Sequence, residues 1–323
     1  MAKLEQYADF SEKNEYFKDG DLKIIINVDK IFDKLDELHS NGDFIFRGID
    51  EAKYKLYNSA QRYYINSELF KHAAPDDDAG HYDRFIGGLV DECKQWNNST
   101  VKNLLNASGI DENNSLAYLS YMQHFGVPTP LLDFTFNPYM ALFFAVNGAR
   151  YVESDNEIDN YFSLYYTYHN ATVFEGWRAT FSSEAYTEEA NKLTYDIVSK
   201  AALHILLPQD EPYRILNNTN IINQQGLFIY SSHAFKPLEQ SYTEHVAFIK
   251  EGLVEKLSKE AIDDLLIIDT FAACFNIHKS LIPYIKKRLL DKGIAPDFVY
   301  PDPYKIKEVA LVNATIQSLV TRK

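Results

Sequence analysis

The sequence predicts an α+β fold: a mixed or antiparallel sheet around a buried central helix, with peripheral helices. Three observations carry this. Strand-like apolar runs and helical stretches are interspersed without a regular β–α–β rhythm. The run YMALFFAV at 139–146 is apolar on nearly every side, as a helix enclosed by a core must be. The 323 residues are 46% hydrophobic and 14% aromatic, enough for a sizeable core.

The elements follow in order. Residues 1–20 are polar and acidic and read as a loosely structured arm, and 21–323 as one α+β domain elaborated by a helical segment at 60–115. LKIIINV (22–28) reads as a strand. DKIFDKLDELHSNG (29–42) reads as a helix capped by Asp29, with Ile31, Leu35 and Leu38 on one stripe and Gly42 at its stop. DFIFRGID (43–50) is a strand and its exit turn. From Ala60 to about Asn106 the pattern is mostly helical, with a break at PDDDAGH (75–81).

LAYLSYMQHFG (116–126) is a helix ending at Gly126. VPTPLLDFT follows as an extended turn, because Pro128 and Pro130 prevent a regular helix. Asn137 and Pro138 suit the N-cap and first position of the central helix. YFSLYYTYHNATVF (161–174) reads as strand and EEANKLTYDIVSKAAL (188–203) as helix. RILNNTNIINQQGLFIYSS (214–232) reads as a loop feeding a strand at Gly226–Ser231, and EHVAFIK (244–250) as another strand. SKEAIDDLLIIDTFAACF is ambiguous, with a strand-like run from Leu265, and HKSLIPYIKKRLLDKGI (278–294) is an amphipathic helix stopped by Gly293.

Composition narrows the function classes. Lys plus Arg is 32 and Asp plus Glu 46, so the net charge is −14. An acidic chain repels nucleic acid and anionic membrane at long range, which makes nucleic acid an unfavoured partner. Two cysteines, Cys93 and Cys274, fit a reduced, cytoplasmic protein without zinc-type spacing. The polar start argues against a secretory signal, and no apolar run is long enough to span a bilayer.

No phosphate loop, dinucleotide fingerprint, nucleophile elbow or metalloprotease motif occurs. The candidates are polar residues in apolar settings. Arg47, between Phe46 and Gly48, has a planar fork suited to a carboxylate or phosphate; it holds either an anionic ligand or an internal partner such as Asp133. His124 closes a helix, where the dipole favours a cationic imidazole, and is either a general acid/base or a structural histidine. Asp133, amid Leu131, Leu132 and Phe134, must be paired; it caps the following turn through Thr135 or holds Arg47 or Arg62. Gln224 and Gln225 precede Gly226, which permits a bulge or a close backbone approach to a ligand.

Together these residues resemble the FRG domain family. The resemblance runs through FRG at 46–48, LYNSAQR at 56–62, the long block YMQHFGVPTPLLDFTFNPYMALFFAV at 121–146, INQQGLF at 222–228 and SLIPYIKKRLLDKGIAPDFVYPD at 280–302. One departure is Pro130, where the family pattern has Arg. If that Arg binds an anion, Arg47 and Arg62 carry more of the task here.

The resemblance implies a bacterial or phage setting with toxin-like or antiviral-defence roles. Aromatic-Arg-Gly on an early strand is also similar to the first-strand motif of ADP-ribosyltransferases, where the Arg contacts NAD phosphates. That similarity implies an NAD site with Arg47, Gly48, Arg62, Thr129 and Asp133 binding, His124 and Gln225 catalytic, and no metal. Gln225 would stand where those enzymes carry a Glu. A macromolecular substrate and a cognate antitoxin or regulator are the implied partners. The alternative is a non-catalytic module that senses a nucleotide or a phage or host protein.

Overall fold

Among the described residues, strand β2 (Phe44–Ile49) is the middle one of seven strands in one sheet, so the arginine in its sequence sits at the centre of that sheet. The structure is a computed structural model that describes residues 4–17, 24–42, 44–75, 77–96, 100–107, 109–168, 203–206, 219–231, 233–244, 247 and 272–300. The strand order is β1-β7-β4-β2-β3-β6-β5, with β1 Ile24–Ile25, β3 Leu131–Thr135, β4 Tyr161–Tyr168, β5 Leu203–Leu206, β6 Gly226–Ser231 and β7 Ala273–His278. Only β1 with β7 is parallel; the other pairs are antiparallel, so the α+β fold with a mixed sheet is observed.

The pairing across the middle is uneven. β2 pairs with β4 from Phe44↔Tyr168 to Ile49↔Ser163, and β3 pairs with β6 from Leu131↔Tyr230 to Thr135↔Gly226. Between β2 and β3 the register holds a single pair, Phe46↔Thr135. Beyond it the two halves of the sheet diverge.

Helices cover one face of each half. α2 (Val28–Asn41) and α7 (Pro138–Gly148) lie over the β2 side, where Phe46, Phe162, Leu164 and Phe275 meet Phe32, Leu35 and Leu142. α3 (Ser59–Asn66), α4 (Asp78–Trp96), α5 (Thr100–Ala107) and α6 (Ser115–His124) gather around Leu131 and Phe228 on the β3 side. Each buried side chain of this size contributes roughly 1.5–3 kcal/mol relative to exposure. α7 is the buried helix its uniform hydrophobicity predicts, and Asn137 caps it by accepting from the Tyr139 amide at 3.0 Å. It approaches β2 so closely that a Cβ on Gly48 would lie 1.8 Å from the Ala141 carbonyl oxygen.

Several expectations change. The cap of α2 is Asn27 rather than Asp29, accepting from the Asp29 amide at 2.9 Å, and the preceding strand ends at Ile25 rather than at 28. The helical break falls before Asp78, because Asp78, Ala79, Gly80 and His81 already belong to α4. LLDFT is a strand inside the sheet, not part of a turn; the prolines confine the turn to the residues before it. Residues 238–244 and 247 are helical, against a strand at 244–250, whose other residues lie outside the described ones. Of the helix expected at 188–203 only Leu203 is described, and it opens β5 instead; residues 188–202 and the run from Leu265 up to 271 lie outside the described residues.

The N-terminal arm is not loose where it is described. Tyr7, Lys13 and Phe17 are fully buried, and the Tyr7 amide donates to the Lys53 carbonyl at 2.8 Å. Lys13 Nζ donates to Ser163 Oγ at 2.6 Å, the Ala52 carbonyl at 2.8 Å and Asn276 Oδ1 at 2.9 Å. Its apolar anchors are spaced among charges, so local composition hides them.

Candidate functional site

Where β2 and β3 part, a cavity of about 410 Å³ opens. Its floor is Phe46, Arg47 and Gly48 from β2 and Asp133, Phe134 and Thr135 from β3. The end of α6 supplies Ser120, Gln123 and His124, and α7 supplies Phe144. Gln224, the start of β6 and Tyr300 close the remaining side. The volume lies within the usual range of ligand sites, ~300–1,000 Å³.

Arg47 shares the face of Ile45, whereas Asp133 shares the face of Leu131, by strand alternation. The guanidinium crosses the opening between the strands, passing 5.9 Å from the Phe134 ring centroid, and one amino group donates to the Asp133 backbone carbonyl at 2.5 Å. Among the described residues, Arg47 Nε is buried without a hydrogen-bond partner. Enclosure brings the Arg47 pKa down to about 10, with Asp133 pulling the other way, so the group stays cationic at neutral pH.

The Asp133 carboxylate is open to the cavity on one side and enclosed by protein on the others. That enclosure raises its carboxyl above the ordinary range, against the pull of Arg47 and of the Gln123 amide, which donates to Asp133 Oδ1 at 2.6 Å. His124 stands at the mouth. Partial enclosure lowers its pKa, so the neutral imidazole is favoured, contrary to the cationic form expected at a helix end. Desolvation there outweighs the dipole. Burial also raises the Tyr300 hydroxyl, and the nearby Asp133 charge adds to this.

Arg47, Gly48, His124 and Asp133 therefore converge on one cavity, and three expected site residues do not line it. Gln225 is exposed, with a left-handed backbone (φ 49°); its carbonyl accepts from the Phe136 amide at 3.0 Å. The preceding Gln224 faces the cavity instead. Gln224 is held at both ends: Thr135 Oγ1 donates to its carbonyl at 2.6 Å, and its side-chain amide donates to the Val299 carbonyl at 3.1 Å. Arg62 is exposed on α3 and donates to the Tyr57 carbonyl at 2.8 Å; it acts on Arg47 and Asp133 only through its charge. Thr129 is fully buried, and its hydroxyl donates to Gln123 Oε1. Pro130 is buried too and lies outside the lining.

Phe144 and Tyr300 were not expected. Their rings are 6.3 Å apart at 61°, and 156 positions of chain separate them, which no local pattern bridges. Gln123 lies next to His124 in the long block, so its position was visible although its role was not.

A family model, that of the FRG domain, matches residues 42–154. Over those residues the chain is similar to the FRG domain. The matched segment holds Arg47, Gly48, Gln123, His124, Asp133 and Phe144, whereas Gln224 and Tyr300 lie beyond it. The cavity is thus built mainly by that segment and closed by later chain. No curated protein and no solved structure matches. Among the described residues no helix is long and apolar enough to cross a membrane, and no group of three metal-ligating side chains occurs.

Proposed function

We propose that the cavity binds a nucleotide of the NAD class and that the protein is an ADP-ribosyltransferase-like enzyme acting on a macromolecule. The observation that carries this reading is Arg47 Nε, a buried cationic donor without a partner among the described residues, beside the carboxylate of Asp133 in the cavity lining. A buried donor left unpaired costs about 1–3 kcal/mol, which an anionic ligand would recover. A pyrophosphate suits Arg47, and the faces of Phe144 and Tyr300 suit a planar ring.

Asp133 fills the role that Gln225 does not. An ionised carboxylate favours the oxocarbenium-like ribose formed as the glycosidic C–N bond breaks and its electron pair leaves on nicotinamide. The acceptor nucleophile then bonds to the ribose carbon and loses its proton. Neutral His124, at the mouth, is suited to take that proton. The reading fits a toxin-like or antiviral-defence effector in a bacterial cytoplasm. Its acidic charge favours a regulator or antitoxin with a basic face over nucleic acid.

The test is calorimetric titration with NAD and ADP-ribose, followed by nicotinamide release in the presence of cell lysate. Binding that is lost in Arg47→Ala, with nicotinamide released only by protein that retains Asp133, supports the enzyme. Folded protein that binds neither compound overturns it. The second reading, a nucleotide-sensing module, draws on the ties that already engage Arg47 and Asp133 within the protein. Its signature is binding without nicotinamide release.

A further inference from the structure

We infer that Thr129 and Gln123 form a one-way hydrogen-bond chain that holds the Asp133 carboxylate with one oxygen turned to the ligand. The inference deepens the proposed reading of the cavity, and it concerns residues that do not themselves meet the ligand's reacting atoms. Thr129 is fully buried behind the cavity. Its amide donates to Ser59 Oγ at 2.9 Å, and its carbonyl accepts from the Ala60 amide at 3.0 Å and from Ser59 Oγ at 3.1 Å. The backbone of Thr129 is therefore fixed to the start of α3. Its hydroxyl proton is directed at Gln123 Oε1.

That contact decides which way the Gln123 amide faces. An oxygen that accepts from Thr129 leaves the amide NH2 as the group toward Asp133, and it donates to Oδ1 at 2.6 Å. Oδ1 is thereby engaged by Gln123, and Oδ2 is the oxygen turned away from that amide. Arg47 grips the backbone carbonyl of the same residue, so the strand position and the carboxylate rotation are held by separate contacts. Nothing in this chain needs a charge. It costs the site little electrostatically and leaves the guanidinium uncommitted to the carboxylate. Gln123 and Thr129 are positioning residues.

The experiment follows the Asp133 carboxyl carbon by NMR titration in the full chain, comparing wild type with Gln123→Leu, Thr129→Val and Thr129→Ser. An amide that donates to a carboxylate favours its ionised form, so losing it moves the titration midpoint upward. We expect an upward shift in Gln123→Leu, a smaller one in Thr129→Val, and a midpoint near wild type in Thr129→Ser. A midpoint in Thr129→Val equal to wild type, in a protein whose spectrum shows it folded, overturns the chain. Thr129→Val is close in volume, so it keeps the test available if Gln123→Leu fails to fold. The titration needs no NAD. A shifted midpoint together with absent nucleotide binding would overturn the proposed function and leave this inference standing.

Discussion

Lys13 and Arg47 are two basic side chains near the centre of one sheet, and the protein treats them differently. Lys13 is sealed. Its Nζ lies within hydrogen-bond reach of three neutral acceptors, Ser163, Ala52 and Asn276, and 5.0 Å from the Tyr165 ring centroid, and burial holds its pKa below the ordinary lysine range. Arg47 is only partly satisfied. One amino group holds a carbonyl, Nε has no partner among the described residues, and the guanidinium lines an open cavity. A complete set of partners marks a basic side chain that fastens strands together. An incomplete set next to a cavity marks one that is kept for something else.

The sharpest way to break this comparison is Lys13→Ala. It leaves a void and three acceptors without their donor, so it should cost on the order of 4 kcal/mol in denaturant unfolding. A variant as stable as wild type would remove Lys13 as the fastener. Gly48→Ala comes next, at roughly 2–3 kcal/mol, because the new Cβ meets the Ala141 carbonyl and either β2 or α7 must move. Arg47→Lys should change unfolding free energy by less than about 1 kcal/mol yet weaken NAD or ADP-ribose binding at least tenfold, ~1.4 kcal/mol, read by calorimetry. The reverse pattern, lost stability with intact binding, would make Arg47 another Lys13.

Asp133→Asn tests the same division through pH. The folded carboxyl titrates above its unfolded value, so the wild type loses stability as pH rises from the unfolded pKa through the folded one. The variant lacks that loss. Its stability relative to wild type should therefore grow with pH across that window and vanish below it, while nicotinamide release is abolished. Melting temperatures at a series of pH values check it. The smallest effect belongs to Gln225→Gly, which relieves a left-handed non-glycine backbone and should stabilise by about 0.5–1 kcal/mol without altering nucleotide binding. Altered binding would return Gln225 to the site.

Much of this was legible beforehand, for reasons that differ by residue. The β2 strand and α7 are locally determined. Alternating strand formers surround Arg47, and Asn-Pro starts a helix apolar on all sides, so neighbours in sequence suffice. Asp133 was readable as a polar outlier, but its setting was not, since LLDFT sits after a proline-rich turn and only pairing with β6 makes it a strand. The choice between Gln224 and Gln225 was closed to sequence reading. One left-handed residue, its carbonyl accepting from Phe136 and its amide donating to Ile222, reverses which neighbour faces inward.

The sequence by itself determined the class of fold, the central helix, the acidic net charge, and Arg47 as a cation needing a partner. These depend on periodicity, on residue type and on summed charge, all of which are local or additive. Tertiary structure alone decided that Lys13 is a fastener, that β2 and β3 share one pair before they part, and that Phe144, Tyr300 and Gln224 complete the cavity. Each of these is a contact between distant segments, and such contacts depend on which surfaces the packed elements bring together.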